Sequence, residues 1–142
     1  MDKILISIKP MYMKNIILGN KTIGLRRRVG RLFLPEREIY LYSSAPVKAL
    51  VAKAFIKKID KMEVISLGNK KNKILQHACI NEYDFDNYFS DSTFCYLIHL
   101  KNVRPLIRPM PLKDMREYGI NPPQSFCYLR SDEVSFLENY WE

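Results

Sequence analysis

Cysteine, histidine and glycine are scarce in this chain of 142 residues, and each shortage excludes a class of protein. The three cysteines and two histidines are widely spaced and include no CxxC pair. They therefore offer neither a disulfide framework nor the ligand spacing of a structural zinc site. The five glycines form no P-loop, GxGxxG or GxSxG motif. We therefore expect free thiols in a reducing compartment, no metal and no cofactor.

Long apolar runs are also missing from the sequence. Only a short apolar strand follows the initial Met-Asp-Lys, which is too short for the core of a signal peptide. No other run approaches the length that is needed to span a bilayer. We therefore expect a cytoplasmic protein without a membrane partner.

The composition that remains is that of a folding domain. Hydrophobic residues make up 47% of the chain and aromatic residues 12%, which is enough for one substantial core. A length of 142 residues favours one domain. We therefore predict a single domain over residues 1–142.

Positive charge is concentrated in the first half of the chain. The net charge is +8, but residues 1–58 carry 13 Lys or Arg against 3 Asp or Glu, whereas residues 59–142 carry 10 against 12. Such an asymmetry is typical of proteins with one basic, phosphate-binding face. The alternative is a solvated surface that only keeps the protein soluble.

The stretch from Ile4 to Arg28 predicts a strand, a short helix and a second strand that together form a candidate site. An apolar strand leads into Pro10, which suits a first helical turn because its missing N–H is not needed there. Gly19 is suited to end that helix in the left-handed conformation. The alternating residues Lys21–Leu25 then predict a second strand that runs into Arg26–Arg28. Two lysines and an arginine triplet thus come close together, which predicts an anion site.

The rest of the chain predicts further strands with short helices between them. The predicted strands are Glu38–Tyr42, Val47–Ile59 (an Ala-rich helix is the alternative), Phe94–Leu100 with an extension to Leu106, and Phe126–Leu129. A helical insert is predicted at about 60–90, a short helix at Leu112–Tyr118, and a last helix capped by Ser131–Glu133. Five or six strands without a regular strand–helix–strand repeat predict an α+β fold, a mixed β-barrel.

Three separated motifs resemble one known family. They are ILISIKPMYMKNIILGNKT followed by LRRR, then YSSAPVKA, and finally PPQSF with YL close behind. Together and in this order they resemble the ASCH domain, the activating-signal-cointegrator homology family of the PUA-like superfamily. The resemblance covers nearly the whole chain, and the helical insert contributes least to it.

The resemblance implies a PUA-like β-barrel with helices over its openings and a cleft for RNA or a nucleotide. Family members are proposed to be RNA-binding regulators of transcription or translation. Some small relatives are amidohydrolases of acylated cytidine nucleosides, and one branch is described as ribonucleolytic. The family therefore does not fix a single activity.

Gly24 departs from the family pattern. The family commonly has a carboxylate at this position, in the form KT-x-E-x-R, and the amidohydrolase relatives have a threonine beside the lysine that aligns with Lys21. Gly24 supplies neither a carboxylate nor a hydroxyl. This departure argues against the amidohydrolase activity and leaves extra room in the cleft.

The candidate nucleic-acid-binding residues fall into a cationic and a polar group. The first group holds phosphate and includes a threonine beside its central lysine: Lys9, Lys21, Thr22, Arg26 and Arg28. The second group reads polar edges from turns: Ser43, Ser44, Gln124 and Ser125. Strand alternation places Arg26 and Arg28 on one face and Arg27 on the other. The alternatives are exposed turn lysines, surface arginines and ordinary turn formers.

Two further types of residue have an open role. Tyr42, Phe126 and Tyr128 could stack on a base, although core packing is the simpler interpretation. Lys21 is the candidate catalytic residue if the protein is an enzyme, since a desolvated lysine can act as a nucleophile or base.

Three functions are compatible with this sequence. The first, which we favour, is a binding protein for RNA, single-stranded nucleic acid or a nucleotide, with a role in transcription or translation. The second is an enzyme on the same cleft, an amidohydrolase or ribonuclease that uses Lys21. The third is a protein–protein adaptor with an incidental basic face.

Overall fold

The computed structural model of the chain describes residues 2–141. Its elements, in chain order, are β1 (Lys3–Ile8), α1 (Pro10–Leu18), β2 (Ile23–Arg26), β3 (Glu38–Ser43), β4 (Ala49–Glu63), a 3₁₀ turn (Val64–Ser66), α2 (Lys70–Ala78), α3 (Glu82–Tyr88), β5 (Phe94–Pro111), α4 (Leu112–Tyr118), β6 (Phe126–Leu129) and α5 (Ser131–Tyr140). In this part of the chain, no helix is both long and apolar enough to cross a bilayer.

The first helix forms as the sequence predicts, whereas the second strand starts later. Pro10 is the first residue of α1, and Gly19 ends the helix with a φ of 85°. The strand predicted from Lys21 begins at Ile23. The Lys21 N–H donates to the Asn15 carbonyl, and the Thr22 N–H donates to the His77 carbonyl. These two residues are therefore tied to the ends of helices rather than being part of β2.

The six strands form one mixed sheet in the order β2-β5-β4-β3-β1-β6. The β1–β3 pair is parallel, and every other pair is antiparallel. A parallel pair needs a crossover connection, and α1 with β2 lies in the chain between β1 and β3. The predicted α+β class with six strands is confirmed.

The sheet curls around an apolar interior. Within residues 2–141 its two end strands, β2 and β6, form no backbone ladder with each other. Side chains from β1, β3, β4 and β5 meet in one buried cluster, together with Met13 and Ile16 of α1. Arg26 at the end of β2 hydrogen-bonds to Ser7 of β1 and to Ser125 just before β6, so the two ends of the sheet approach each other. This curled, barrel-like sheet is the architecture that the family resemblance implies.

The long strand β4 confirms a strand rather than a helix at Val47–Ile59. Apolar residues at odd-numbered positions favour that strand, but the fully buried residues include the even-numbered Ala52, Ala54 and Ile56. Register shifts between β4 and β5 occur at Leu50/Ala52, Lys53/Phe55 and Ile56/Lys58. Such bulges rotate side chains between the faces of a strand. The alternation of apolar residues in the sequence does not predict where they occur.

The helical insert between β4 and β5 is confirmed and begins at Val64, because the β4–β5 ladder continues to the pair Glu63 and Phe94. Helices α2 and α3 pack their apolar faces on β2 and the start of β5. Phe85 and Phe89 are at most 2% exposed and anchor α3 there. The insert thus forms a wall beside β2.

Helices α4 and α5 cover the opposite side of the sheet. Leu5, Met110, Met115 and Leu137 lie in the buried cluster between them and the strands. The cap predicted at Ser131 lies one residue earlier, because the Glu133 carboxylate accepts from the Arg130 N–H at 2.8 Å. A Glu at the third helical position commonly accepts from the N-cap N–H in this way.

Candidate functional site

A cavity of about 710 Å³ lies between the curled sheet, α1 and the helical insert. Its floor is apolar and includes Ile6, Leu41 and Ile98, which belong to the interior cluster. Its rim is polar and charged. A pocket of this size, apolar within and polar at its edge, is typical of a small-molecule or nucleotide site.

Positive charge dominates the rim. Four cationic side chains line the cavity, namely Lys9, Lys21, Arg26 and Arg27, against one carboxylate, that of Asp84. An array of cations in a concave surface with low-dielectric walls concentrates the field and attracts anions. The cavity is therefore suited to a negatively charged ligand.

Lys21 is buried at the edge of this cavity, with 7% of its surface exposed. Its Nζ donates to the Ala78 carbonyl at 2.6 Å, at the last residue of α2, and lies 5.1 Å from the centroid of the Tyr12 ring. The carbonyl is one of the unpaired groups at a helix C-terminus. The alternative of an exposed turn lysine is thus wrong.

Burial sets the protonation of Lys21. Desolvation lowers the pKa of Lys21 from 10.5 to about 8, the neighbouring Cys79 opposes this shift, and the positive charge of Arg26 adds to it. Since burial penalises the charged form of a lysine, a fraction of the amines is neutral near pH 7. A lysine in this state is able to act as a base as well as a cation.

Arg26 links two sides of the cavity. Its Nη2 donates to the Ser7 carbonyl in β1 at 3.0 Å, and its Nη1 donates to the Ser125 hydroxyl at 3.1 Å. Burial lowers the pKa of Arg26 from its ordinary value, so the guanidinium is held in a desolvated setting while it stays charged. A guanidinium has five N–H donors, so three remain for a ligand.

Arg27 lies beside α3. Its Cζ is 4.5 Å from the centroid of the Tyr88 ring, and both residues line the cavity. The prediction that Arg27 faces away from Arg28 and Arg26 rested on a strand through all three arginines. Because β2 ends at Arg26, the chain after it no longer alternates, and Arg27 contributes to the cavity.

Six of the nine sequence-predicted site residues line this cavity: Lys9, Lys21, Arg26, Ser44, Gln124 and Ser125. The other three, Thr22, Arg28 and Ser43, do not. Thr22 and Arg28 are exposed elsewhere, and Ser43 is 2% exposed within the sheet, at the end of β3.

Ser44 is held at the rim by the backbone. Its N–H donates to the Ile8 carbonyl at 2.9 Å, and its hydroxyl reaches the same oxygen at 3.4 Å. Gln124 and Ser125 are exposed at the rim and precede β6. The Ser7 N–H donates to the Ser125 carbonyl at 3.0 Å, which holds this turn against β1.

Sequence reasoning missed several polar residues of the cavity: Ser7, Tyr12, Arg27, Asp84 and Tyr88. A signal existed for the last two, since Asp84 and Tyr88 are four residues apart and share a face of any helix. The acidic character of the insert had argued against a phosphate surface there. The packing of α3 beside β2 could not be deduced from that composition.

The three aromatic residues considered for base stacking have packing roles. Tyr42 is 5% exposed under α4 and α5, and Phe126 and Tyr128 pack on the interior cluster. The Tyr128 hydroxyl accepts from the Leu32 N–H at 3.0 Å. The simpler interpretation, core packing, therefore fits their positions.

Metal ligands are not grouped in this site. Across residues 2–141, no three His, Cys, Asp or Glu side chains are arranged to hold a metal ion. Cys79, Cys95 and Cys127 are free thiols. The chemistry that the site offers comes from its amine, guanidinium, hydroxyl and carboxylate groups.

Comparison with known proteins identifies the family. The chain is 31% identical over 134 residues to an ASCH domain-containing ribonuclease of Zymomonas mobilis, which covers 93% of this chain and 87% of the relative. The chain belongs to the ASCH domain family. No protein-family model matches it.

Solved structures of ASCH proteins share the fold over almost the whole chain. The crystal structure of the Zymomonas mobilis ASCH protein superposes with a TM-score of 0.86 at 27% identity, covering 99% of this chain and 96% of that one. A serine-to-alanine variant of the same protein gives 0.88 at 26% identity, with the same coverage. The resemblance noted in the sequence and its PUA-like, barrel-like fold are therefore confirmed.

A more distant structure shows how widely the fold is shared. The N-terminal domain of McrB from Staphylothermus marinus superposes with a TM-score of 0.59 at 12% identity, covering 96% of this chain and 93% of that one. At this identity the comparison concerns the fold alone. The fold is thus shared by a protein whose sequence is very different from this one.

Proposed function

We propose that this ASCH domain binds single-stranded RNA, with one nucleotide in the cavity and the flanking phosphates on its basic rim. The observation that carries the proposal is the grouping of Lys9, Lys21, Arg26 and Arg27 around one cavity that holds a single carboxylate. Single-stranded RNA suits a concave site of this kind because its unpaired bases can turn inward while its phosphates stay at the surface.

Arg26 is the central phosphate ligand in this proposal. Its bonds to Ser7 and Ser125 fix the guanidinium before any ligand arrives. A pre-positioned donor loses little side-chain entropy on binding, and a guanidinium donates to phosphate in a bidentate manner. Lys9 is exposed and adds a flexible charge at the mouth, whereas Ser44, Gln124 and Ser125 offer polar contacts. Thr22, Arg28 and Ser43 stay predictions that the cavity does not support.

The similarity to a protein named as a ribonuclease agrees with RNA as the ligand. A nucleoside or nucleotide alone would also fit the cavity volume, but the basic residues continue from its interior to the exposed Lys9 at the rim. A ligand with several phosphates uses more of this charge than a single nucleotide does.

The test compares two arginines of the same triplet. Anisotropy of a labelled single-stranded RNA is measured at low and high salt for the wild type, Arg26→Ala and Arg28→Ala. Both substitutions remove one charge, but only Arg26 lines the cavity. We expect wild-type affinity to fall with salt, as phosphate contacts require. We also expect Arg26→Ala to lose about tenfold or more, which is the scale of a charged hydrogen bond, and Arg28→Ala much less.

Equal losses in the two variants would mean a diffuse basic surface and would reject the cavity as the binding site. Absence of salt-dependent RNA binding in the wild type would reject the proposed function itself. A labelled DNA of the same sequence, run in parallel, separates RNA from single-stranded nucleic acid in general.

RNA cleavage is a second candidate function, favoured by one specific observation: the buried Lys21 with its pKa lowered to about 8. In a cleavage reaction its neutral amine would accept the proton of a ribose 2′-hydroxyl, whose oxygen then attacks the adjacent phosphorus. Arg26 would balance the charge that develops on the phosphate oxygens. The P–O5′ bond would break, the 5′-oxygen would leave as a hydroxyl after taking a proton from water, and a 2′,3′-cyclic phosphate would remain.

This second function has its own experiment. Cleavage of a labelled RNA should rise with pH, reach half of its maximum near pH 8 and level off above that pH, because the base form of Lys21 increases over that range. Lys21→Gln should abolish cleavage and leave RNA bound. Cleavage that survives in Lys21→Gln, or that shows no pH dependence, would reject Lys21 as the base.

Three finer statements belong to the same proposal. We propose that residues 1–142 form one domain, and this is supported by the described residues 2–141, in which every strand joins one sheet with three buried clusters packed on it. We place the protein in the cytoplasm, where free thiols persist. We also propose a regulatory role in transcription or translation, which is tested by identifying the bound transcripts.

A further inference from the structure

Asp84 stands apart from the other residues of the cavity. It carries the one carboxylate among the lining residues. Its neighbours on α3, Glu82 and Asp86, both pair with Lys71, at 3.1 and 2.8 Å. The Asp84 carboxylate, by contrast, has no hydrogen-bond or ion-pair partner within residues 2–141. Asp84 is half-buried, and its carboxylate pairs with none of the four cations that line the same cavity.

The position of Asp84 is fixed by the packing of α3. The Asn81 side chain accepts from the Asp84 N–H at 2.7 Å and starts the helix there. Phe85 and Phe89 are buried and hold the other face of the helix against the sheet. Asp84 and Tyr88 lie one turn apart, and both therefore face the cavity.

Tyr12 of α1 lies within electrostatic reach of the same carboxylate. Burial raises the pKa of Tyr12 from 10, and the negative charge of Asp84 raises it further. Both residues line the cavity. The unpaired carboxylate thus lies at the side of the cavity where α1 and α3 approach each other.

The chemistry of a carboxylate restricts what it can bind in RNA. An ionised carboxylate only accepts hydrogen bonds, and it repels phosphate. The donors of RNA, apart from the 2′-hydroxyls, are the N–H groups on base edges, which single strands leave accessible. Guanine alone presents two adjacent donors, N1–H and N2–H, on its Watson–Crick edge, and their spacing matches the two oxygens of a carboxylate.

We infer that Asp84 reads the Watson–Crick edge of a guanine base in the cavity, which makes the protein selective for RNA with an unpaired guanosine. The inference rests on the proposed function and names its base. Arg27, whose guanidinium lies over the Tyr88 ring, lines the same cavity as Asp84 and offers a planar cation on which the guanine ring can stack. The phosphate of the same nucleotide then lies toward Arg26.

The experiment uses four labelled RNAs, each a short uridine-rich strand that differs only at its central base, G, A, C or U. Binding is measured for the wild type, Asp84→Asn and Glu82→Gln. The last two both remove one negative charge from the first turn of α3, but Glu82 does not line the cavity. They are therefore matched in charge and differ in position.

For the wild type we expect the G-containing strand to bind about tenfold more tightly than the others, which is the scale of one bidentate base contact. In Asp84→Asn this preference should disappear, because the amide NH₂ opposes one of the two guanine donors. The affinities for the other three strands should not fall and should rise slightly, because Asp84→Asn removes a negative charge that repels phosphate, whereas Glu82→Gln should leave the preference for G in place. Asp84→Glu keeps the carboxylate and should keep the order of preference.

Two results overturn the inference, and they are distinguishable. If RNA binds in an Arg26-dependent manner without a preference for G, or if Asp84→Asn retains that preference, the base assignment is wrong and the proposed function stands. If the wild type binds none of the four strands, the base assignment and the proposed RNA-binding function are both wrong. Thermal unfolding of each variant shows whether a change in binding reflects the site or the fold.

Discussion

The Arg26 guanidinium donates to the Ser125 hydroxyl at 3.1 Å and so joins the two ends of the sheet, since Arg26 closes β2 and Ser125 lies just before β6. These end strands form no backbone ladder with each other in residues 2–141. The second Arg26 bond, to the Ser7 carbonyl, reaches β1. One side chain thus spans the opening of the curled sheet and lines the cavity there.

A double-mutant cycle tests this bridge. We expect Arg26→Ala and Ser125→Ala to be coupled by about 1 kcal/mol in the free energy of unfolding, as a charged hydrogen bond between partly exposed groups requires. The measurement is urea denaturation of the two single variants and the double variant. The control cycle pairs Arg26→Ala with Gln124→Ala, since Gln124 lines the same cavity and has no such bond. Strictly additive effects for Arg26 and Ser125 would show that the bridge contributes nothing.

Lys21 should make the protein more stable as the pH rises from 8 to 10. Its pKa is about 8 in the folded protein against 10.5 for the ordinary side chain, so the folded state releases its proton first. The unfolded state then binds more protons over this range, and the free energy of unfolding rises with pH. The total gain in the free energy of unfolding is about 3 kcal/mol for a pKa shift of this size. The gain begins near pH 8 and is complete only above the unfolded pKa of 10.5.

The measurement is urea unfolding of the wild type and Lys21→Met between pH 7 and 10. Subtracting the variant removes the contributions of other groups, such as Cys95 and Cys127, whose raised pKa values act in the opposite direction. A difference curve without slope would contradict the desolvation of Lys21.

Two glycines should respond in opposite ways to the same substitution. A Cβ at Gly24 would lie 3.8 Å from the Ile98 Cβ, an ordinary contact, whereas one at Gly30 would meet the Tyr128 hydroxyl and lie 2.9 Å from Phe126 Cε2. Gly24→Ala should therefore stabilise the protein by about 0.4–1 kcal/mol through the unfolded chain. Gly30→Ala should destabilise it by about 1–3 kcal/mol, because the packed rings must move.

Thermal or urea unfolding of the two variants checks this contrast. The result also bears on the cavity, since Gly24 lines it. Equal destabilisation by Gly24→Ala and Gly30→Ala would contradict the ordinary contact distance that the structure shows for a Cβ at Gly24.

The insert should depend on Phe85. This side chain is fully buried and lies 4.7 Å, between ring centroids, from Phe89. Phe85→Ala should cost about 3–5 kcal/mol, the usual penalty for a large cavity in a core. The control is Tyr83→Ala on the same helix, since Tyr83 is 75% exposed and its loss should stay within about 0.5 kcal/mol.

Urea unfolding of both variants measures these costs. Because α3 carries Asp84 and Tyr88 into the cavity, Phe85→Ala should also weaken any ligand that contacts them. A small effect of Phe85→Ala on stability would mean that the insert is not part of the cooperative fold.

Local chemistry decided much of this structure. The sequence predicted that α1 begins at Pro10 and is ended by Gly19, and it does so in the fold. The fixed φ of proline and the ability of glycine to adopt a left-handed φ are properties of single residues, so no tertiary contact is needed to predict them. Phe126–Leu129 is a strand over the residues that its β-forming side chains predicted. The ASCH motifs identified the family, and six of the nine predicted residues line one cavity, because those motifs lie next to one another where β1 meets its neighbours.

The tertiary structure alone decided which charges share a site. Arg28 is two residues from Arg26 and yet outside the cavity, because β2 ends at Arg26 and the periodicity of the strand ends with it. Asp84 is 63 positions from Lys21 in an acidic segment, and only the packing of Phe85 and Phe89 brings its carboxylate to the basic rim. Sequence determines the periodicity within an element. Where an element ends and what packs against it depend on contacts between distant residues, and these formed the site.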